Sequence, residues 1–156
     1  IIAPHNIDSS QINSMLKKLQ KPTVLYSNYK NEALENKSVF IIDTIGLLTK
    51  IYKYADIAYI GGGMGSSGLH NTLEAATFGV PIVIGKNYQK FPEAKAMLTK
   101  GGLLSVDSGA SLQETLDALV KNPEKRKALG QTNKEYIKNN KGASELVMAE
   151  ITKLYS

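Results

Sequence analysis

Six short apolar runs, each followed by a stretch with helical spacing, divide this chain almost from end to end. The runs are Ile1–Ala3, Thr23–Tyr26, Val39–Ile42, Ile57–Ile60, Ile82–Ile84 and Leu103–Val106. Between them, apolar residues recur at helical intervals, as in Ile12, Met15, Leu16 and Leu19, the spacing of one helix face. No Asn-Gly hairpin signal joins any two runs. Strands that alternate with helices and lack hairpins fold as a doubly wound parallel sheet, so the expected class is α/β, Rossmann-like, with about six strands. The run Ile57–Ile60 reads as buried on both faces. The predicted helices open at Ser9 or Ser10, at Thr44 (Ile45 to about Tyr54), at Asn71 (to Phe78), at Phe91, at a Ser111/Glu114 capping box, at Pro123 and at Ala143.

In such sheets a ligand sits outside the carboxyl ends of the strands. The loops to inspect are therefore Pro4–Asp8, Asp43–Gly46, Gly61–Asn71 and Gly85–Phe91. The third is the richest, with five glycines between Gly61 and Gly68. Gly63-x-Gly65-x-x-Gly68 matches the dinucleotide fingerprint in letters only. It follows the fourth strand and not the first, and the acidic residue required about 20 positions on is replaced by Gly85-Lys86-Asn87. A phosphate loop of the Walker kind fails on spacing. What remains is a loop whose backbone can approach a ligand closely and which feeds a helix N-terminus, where free amides favour an anion.

Asn71 and Glu74 stand at capping-box spacing, so Glu74 either turns back to the Asn71 amide or accepts hydrogen bonds from a vicinal diol such as a ribose. His70 either faces a phosphate or is a polar loop residue. His5, after Pro4, lies in the ligand layer. Thr44 caps a helix whose amides Gly46 leaves accessible. The chain has two His and no Cys, which removes disulfides, thiolate metal sites and a Cys nucleophile. No Gly-x-Ser-x-Gly nucleophile motif occurs. The residues point to binding of an anionic, hydroxyl-rich ligand, with no metal and no cofactor.

The net charge is +5, and the window from Lys121 to Lys141, with seven bases and two acids, carries all of it. Arg126 is the single arginine, whereas nucleic-acid readers use several, so nucleic acid is not an expected partner. No apolar run approaches the ~18 residues of a membrane span. The chain opens on Ile1-Ile2-Ala3 in what reads as a strand already under way, so a piece of a longer protein is expected.

The stretch from Asp43 to Phe91 resembles the C-terminal domain of the 3-deoxy-D-manno-octulosonic acid (Kdo) transferases. It carries D-T-x-G from Asp43, Y-x-x-A-D-x-A-Y-I-G-G-G from Tyr52, H-N-x-L-E-A-A-x-F-G-x-P from His70 and G-x-x-Y-x-x-F-x-E-A from Gly85. The Pro4-His5 turn fits as well, and the likeness extends over nearly the whole chain. More loosely, it is similar to the C-terminal, donor-binding half of a GT-B glycosyltransferase. The resemblance implies a single nucleotide-sugar domain over residues 1–156, inactive alone and without catalytic residues of its own. Pro4, His5, Ile45, Gly46, Gly63, Met64, His70, Asn71 and Glu74 would line a CMP-Kdo pocket, with Glu74 on the ribose and helix amides on the phosphate.

The implied parent transfers Kdo with inversion to a lipid A precursor in lipopolysaccharide synthesis. Its missing N-terminal domain would supply the catalytic base and the acceptor site. It would work at the cytoplasmic face of the bacterial inner membrane, with a peripheral membrane contact to which the Lys121–Lys141 window could contribute, while the fragment itself is soluble. Two positions depart from the family pattern. No Arg separates Pro4 from His5, and Leu47 stands where many members have Glu; both bear on phosphate and Kdo carboxylate contacts. Two other readings fit the residues: a GT-B half or epimerase-like domain using a UDP-sugar, and a non-catalytic α/β interaction module.

Overall fold

A computed structural model describes residues 1–155. The chain is α/β and divides into two compact units, Ile1–Ile51 and Tyr52–Ser156.

In the first unit, α1 (Ser9–Lys18) is capped by Asp8, whose carboxylate accepts from the Gln11 amide at 2.9 Å. Asp8 takes the role expected of Ser9 or Ser10; its Oδ1 accepts from both the Ser10 hydroxyl and the Gln11 amide. Strands β1 (Thr23–Leu25) and β2 (Val39–Ile41) pair in parallel, Val24 opposite Phe40. Two short 3-10 helices, Tyr26–Asn31 and Leu34–Asn36, lie between them. The first expected strand shrinks to one parallel bridge, Ile2 with Ile41, held by Ile2 N–H to Phe40 O (2.8 Å) and Ile42 N–H to Ile2 O (2.9 Å). Pro4 ends it, because a proline has no amide to continue the ladder.

The helix expected from Ile45 is also shorter. α2 spans Leu48–Ile51 and passes into a 3-10 turn, Tyr52–Tyr54. Gly46 stands at φ +86°, in the left-handed region that a right-handed helix excludes. Thr44 does not cap: its hydroxyl is buried with no protein partner.

In the second unit β3 (Ala58–Ile60), β4 (Ile82–Gly85) and β5 (Leu103–Val106) form a parallel sheet in the order β3-β4-β5. The helices are α3 (Leu73–Thr77), α4 (Pro92–Thr99), α5 (Gly109–Lys121), α6 (Pro123–Asn139) and α7 (Ala143–Tyr155). Alternation along the strands makes two cores. Ala58, Ile60, Ile82, Ile84 and Leu103 face one way, with Ala75 and Ala76 of α3 and Met97 of α4. Val83 and Val106 face the other way, with Leu119 of α5. Apolar side chains on both faces need helices on both faces, which is the doubly wound pattern.

The described strands thus number five in two sheets, not six in one. β4 is buried along its whole length, but Tyr59 of β3 is 40% exposed, so β3 is covered on one face only. The capping box of α5 joins Ser108 and Ser111, with Asp107 and Ser108 amides on the Ser111 hydroxyl, rather than Ser111 and Glu114.

Candidate functional site

The loop after β3 is built by glycine backbones packed on one another. A Cβ on Gly85 would collide with the Gly63 carbonyl carbon, and a Cβ on Gly62 with the Gly68 carbonyl oxygen. Gly62 also sits at φ +86°. The Asn87 amide donates to Gly63 O at 2.8 Å and its side chain to Gly65 O at 2.9 Å. Close approach, read from the sequence as room for a ligand, is thus used at Gly63 and Gly85 to clamp the loops after β3 and β4 together, and at Gly62 to fold the first of these loops back on Gly68. Gly65 alone in this loop faces open space. Gly63 is buried and Met64 beside it is exposed.

His70 lies against this clamp. Its amide donates to Gly61 O at 3.1 Å, and its ring is the nearest side chain to Gly61. Asn71 then does two things at once. Its Oδ1 accepts from the Leu73 amide at 2.9 Å, which caps the first turn of α3, and its Nδ2 donates to Glu74 Oε1 at 3.0 Å. Glu74 is half-buried. Neither sequence reading of Glu74 described this: it meets the Asn71 side chain instead of the backbone amide of a capping box. A carboxylate fixed through one oxygen keeps acceptor capacity on the other. Its charge reaches Tyr52, where burial first and then Glu74 push the phenol above its ordinary value. Tyr52 is packed in the core with its ring 6.2 Å from that of Phe78. In the sequence Tyr52 belongs to a family motif but carries no sign of a role; its place three residues before Ala55 in a half-apolar turn does not say which carboxylate it meets.

The anion-binding helix is slighter than expected. α3 has five residues, and one of its first amides, that of Leu73, is already bonded to Asn71. Thr72, 1% exposed, has a hydroxyl with no protein partner.

In the first unit Pro4 is half-buried and His5 exposed in the turn after the Ile2 bridge. Ile45 is 92% exposed and Gly46 has nothing within 4 Å of a built Cβ. This turn is pinned from behind by Asp43, whose carboxylate accepts from the Ser27 amide (2.9 Å) and hydroxyl (2.6 Å). Burial pushes the Asp43 carboxyl up, and the two Ser27 hydrogen bonds outweigh it, so it sits below the ordinary value. The structure therefore gathers Gly63, Met64, His70, Asn71 and Glu74 in one loop and helix start. Pro4, His5, Ile45 and Gly46 lie in two turns that follow strands of the first unit. Among the described residues no group of three or more His, Asp or Glu is arranged to hold a metal ion.

The sequence model of the family described as "Glycosyl transferases group 1" matches residues 20–136. A 3-deoxy-D-manno-octulosonic acid transferase of Haemophilus influenzae is 31% identical over 150 residues, which is 95% of this chain and 35% of that protein. A protein of the same name from Chlamydia pneumoniae is 30% identical over 138 residues, 86% of this chain and 31% of the relative. The chain thus spans about a third of the length of these relatives. Among solved structures, the C-terminal CMP-Kdo binding domain of WaaA from Acinetobacter baumannii superposes with a TM-score of 0.76 at 20% identity, over 86% of this chain and 70% of that one.

Proposed function

Because this chain belongs to the group 1 glycosyl transferases, we propose that it is the nucleotide-sugar-binding domain of such an enzyme and that its donor is CMP-Kdo. The observation that carries the reading is Glu74, a half-buried carboxylate held through one oxygen by Asn71 at 3.0 Å, directly after the glycine clamp. Its open oxygen accepts from the ribose hydroxyls of CMP. His70 and the backbone from Gly63 to Gly65 face the sugar-phosphate side. Pro4, His5, Ile45 and Gly46 enter the proposal through the family resemblance alone. The names of the relatives and of the similar solved domain support Kdo as the sugar.

In this reading the parent transfers Kdo with inversion to a lipid A precursor at the inner membrane. CMP leaves with its single phosphate neutralised by amides and side chains, without a metal. The base that activates the acceptor hydroxyl comes from a part of the parent outside this chain, so the chain alone binds donor and transfers nothing.

Calorimetric titration of the chain with CMP tests this. CMP is expected to bind, and Glu74→Ala to weaken it about ten- to a hundredfold, the worth of hydrogen bonds to a charged acceptor. Preference for UMP or UDP over CMP would transfer the proposal to a UDP-sugar enzyme. No heat with millimolar CMP would overturn it and favour a non-catalytic module.

A further inference from the structure

The second unit carries a surface cavity of about 460 Å³ that the donor reading leaves unused. Thr77, Gln131, Lys134, Glu135, Ile137, Lys138 and Lys141 line it. It lies at the opposite edge of the sheet from the glycine clamp. α3 starts at the carboxyl ends of the strands and runs back, so Thr77 at its end stands beside the entry to β4. α6 reaches the same edge: Asn133 donates to Val80 O at 2.8 Å, and a Cβ on Gly130 would collide with the Gly79 carbonyl.

Lys134 and Lys138 stand one turn apart on the same face of α6, and Lys141 follows just beyond the helix end in the same lining. None of them makes an ion pair among the described residues. The single carboxylate of the lining, Glu135, accepts from Gln131 Nε2 at 2.7 Å. The stem of Lys134 runs beside Gly79, its Cδ 3.5 Å from where a Cβ on that glycine would stand. The negative end of α6 accounts for one basic residue in its last turn, and Lys138 supplies it. Lys134 stands more than a turn earlier and Lys141 lies beyond the helix, so the dipole explains neither. Three uncompensated ammoniums around one cavity repel one another unless an anion joins them. Ammoniums are mobile point charges that can reach a tetrahedral oxyanion from several sides.

We propose that this cavity binds a phosphate-bearing group, either a soluble organic phosphate or the headgroup of an anionic phospholipid. The proposal does not rest on the donor reading.

The test uses the chain with paired substitutions, K134S/K138S in the cavity and K125S/K127S on the same helix outside it. Probes are inorganic phosphate and glycerol 3-phosphate by calorimetry, and sedimentation with vesicles of phosphatidylglycerol and phosphatidylcholine against phosphatidylcholine alone. Circular dichroism melts check that both variants fold. Binding to at least one phosphate probe is expected, and K134S/K138S should weaken it roughly thirtyfold, the worth of two lysines at an anionic surface. K125S/K127S should leave it nearly unchanged. A soluble probe alone would identify a free organic phosphate as the source; the anionic vesicles alone would identify a lipid headgroup. No binding to any probe, or equal losses from both pairs, would overturn the proposal, because equal losses mean diffuse charge and not a site. Failure of CMP to bind would leave it standing, and the two readings therefore fail separately.

Discussion

At the scale of single residues, the most consequential is Asn71, which holds the Leu73 amide and the Glu74 carboxylate together. Asn71→Ala removes the cap on the Leu73 amide and the hold on Glu74. The cap costs about 1 kcal/mol of stability, a small fall in melting temperature. The loss of CMP affinity measured by titration should be several-fold, since Glu74 then loses its fixed orientation. Two titrations follow from hydrogen bonds and burial. Tyr52 holds its proton more tightly folded than unfolded. Its contribution to stability is complete below the ordinary tyrosine value and is lost as pH rises toward the folded one. Urea melts of Tyr52→Phe should show a flatter decline above pH ~10 than the parent chain. Asp43 has the opposite sign. Its carboxyl is depressed by Ser27, against burial, so its stabilisation is present above the ordinary carboxylate value and disappears as pH falls through the lower, folded one. Asp43→Asn should remove that part of the acid sensitivity of the first unit, read by acid titration of circular dichroism.

At the scale of elements, glycines decide more than helices do. The glycine loop was legible in the sequence as a place of close approach, but the partner of that approach was not. Gly63 and Gly85 are far apart in the chain and meet only because β3 and β4 are neighbours in register, Ile60 opposite Ile84. Gly85→Ala should cost about 3 kcal/mol or prevent folding, as overpacking against backbone does; chemical denaturation of the purified variant checks it. The buried side chain of Asn133 holds Val80 O across a helix–strand junction. Asn133→Ala leaves that carbonyl unpaired and should cost about 1–3 kcal/mol in the same measurement. Helix ends were the least legible feature. Asp8 and Ser108 cap α1 and α5, each close to but not at the position the sequence favours, because several adjacent Ser and Asp side chains compete for the same amides. The choice among them depends on which residue adopts an extended backbone. α6 does open at Pro123 as its sequence favours, with Asn122 as the cap.

At the scale of the molecule, α7 stands apart. None of its residues is buried, and Leu146, Val147, Met148 and Leu154 are exposed. A chain ending at Lys141 should therefore melt at the same temperature as the whole chain, since burial of apolar area is what stabilises a helix in a fold. A clear drop in a thermal scan would show that α7 contributes to the packed core. What the sequence by itself determined was the class and the order of elements: short continuous apolar runs and helical intervals of about 3.6 residues are local signals, and their alternation admits one kind of sheet. The family motifs from Asp43 to Phe91 were equally local, and they named the loop in which the candidate site lies. Only the tertiary structure decided which strands pair, that the first run makes a single bridge, and that β3 is covered on one face. It also decided that Glu74 is held by an amide side chain and not by a backbone cap, and that two lysines of α6 and Lys141 beyond it share a cavity with the end of α3. Each of these depends on residues distant in sequence or on competing partners of nearly equal energy. Spacing along a chain carries no information about them until packing selects one.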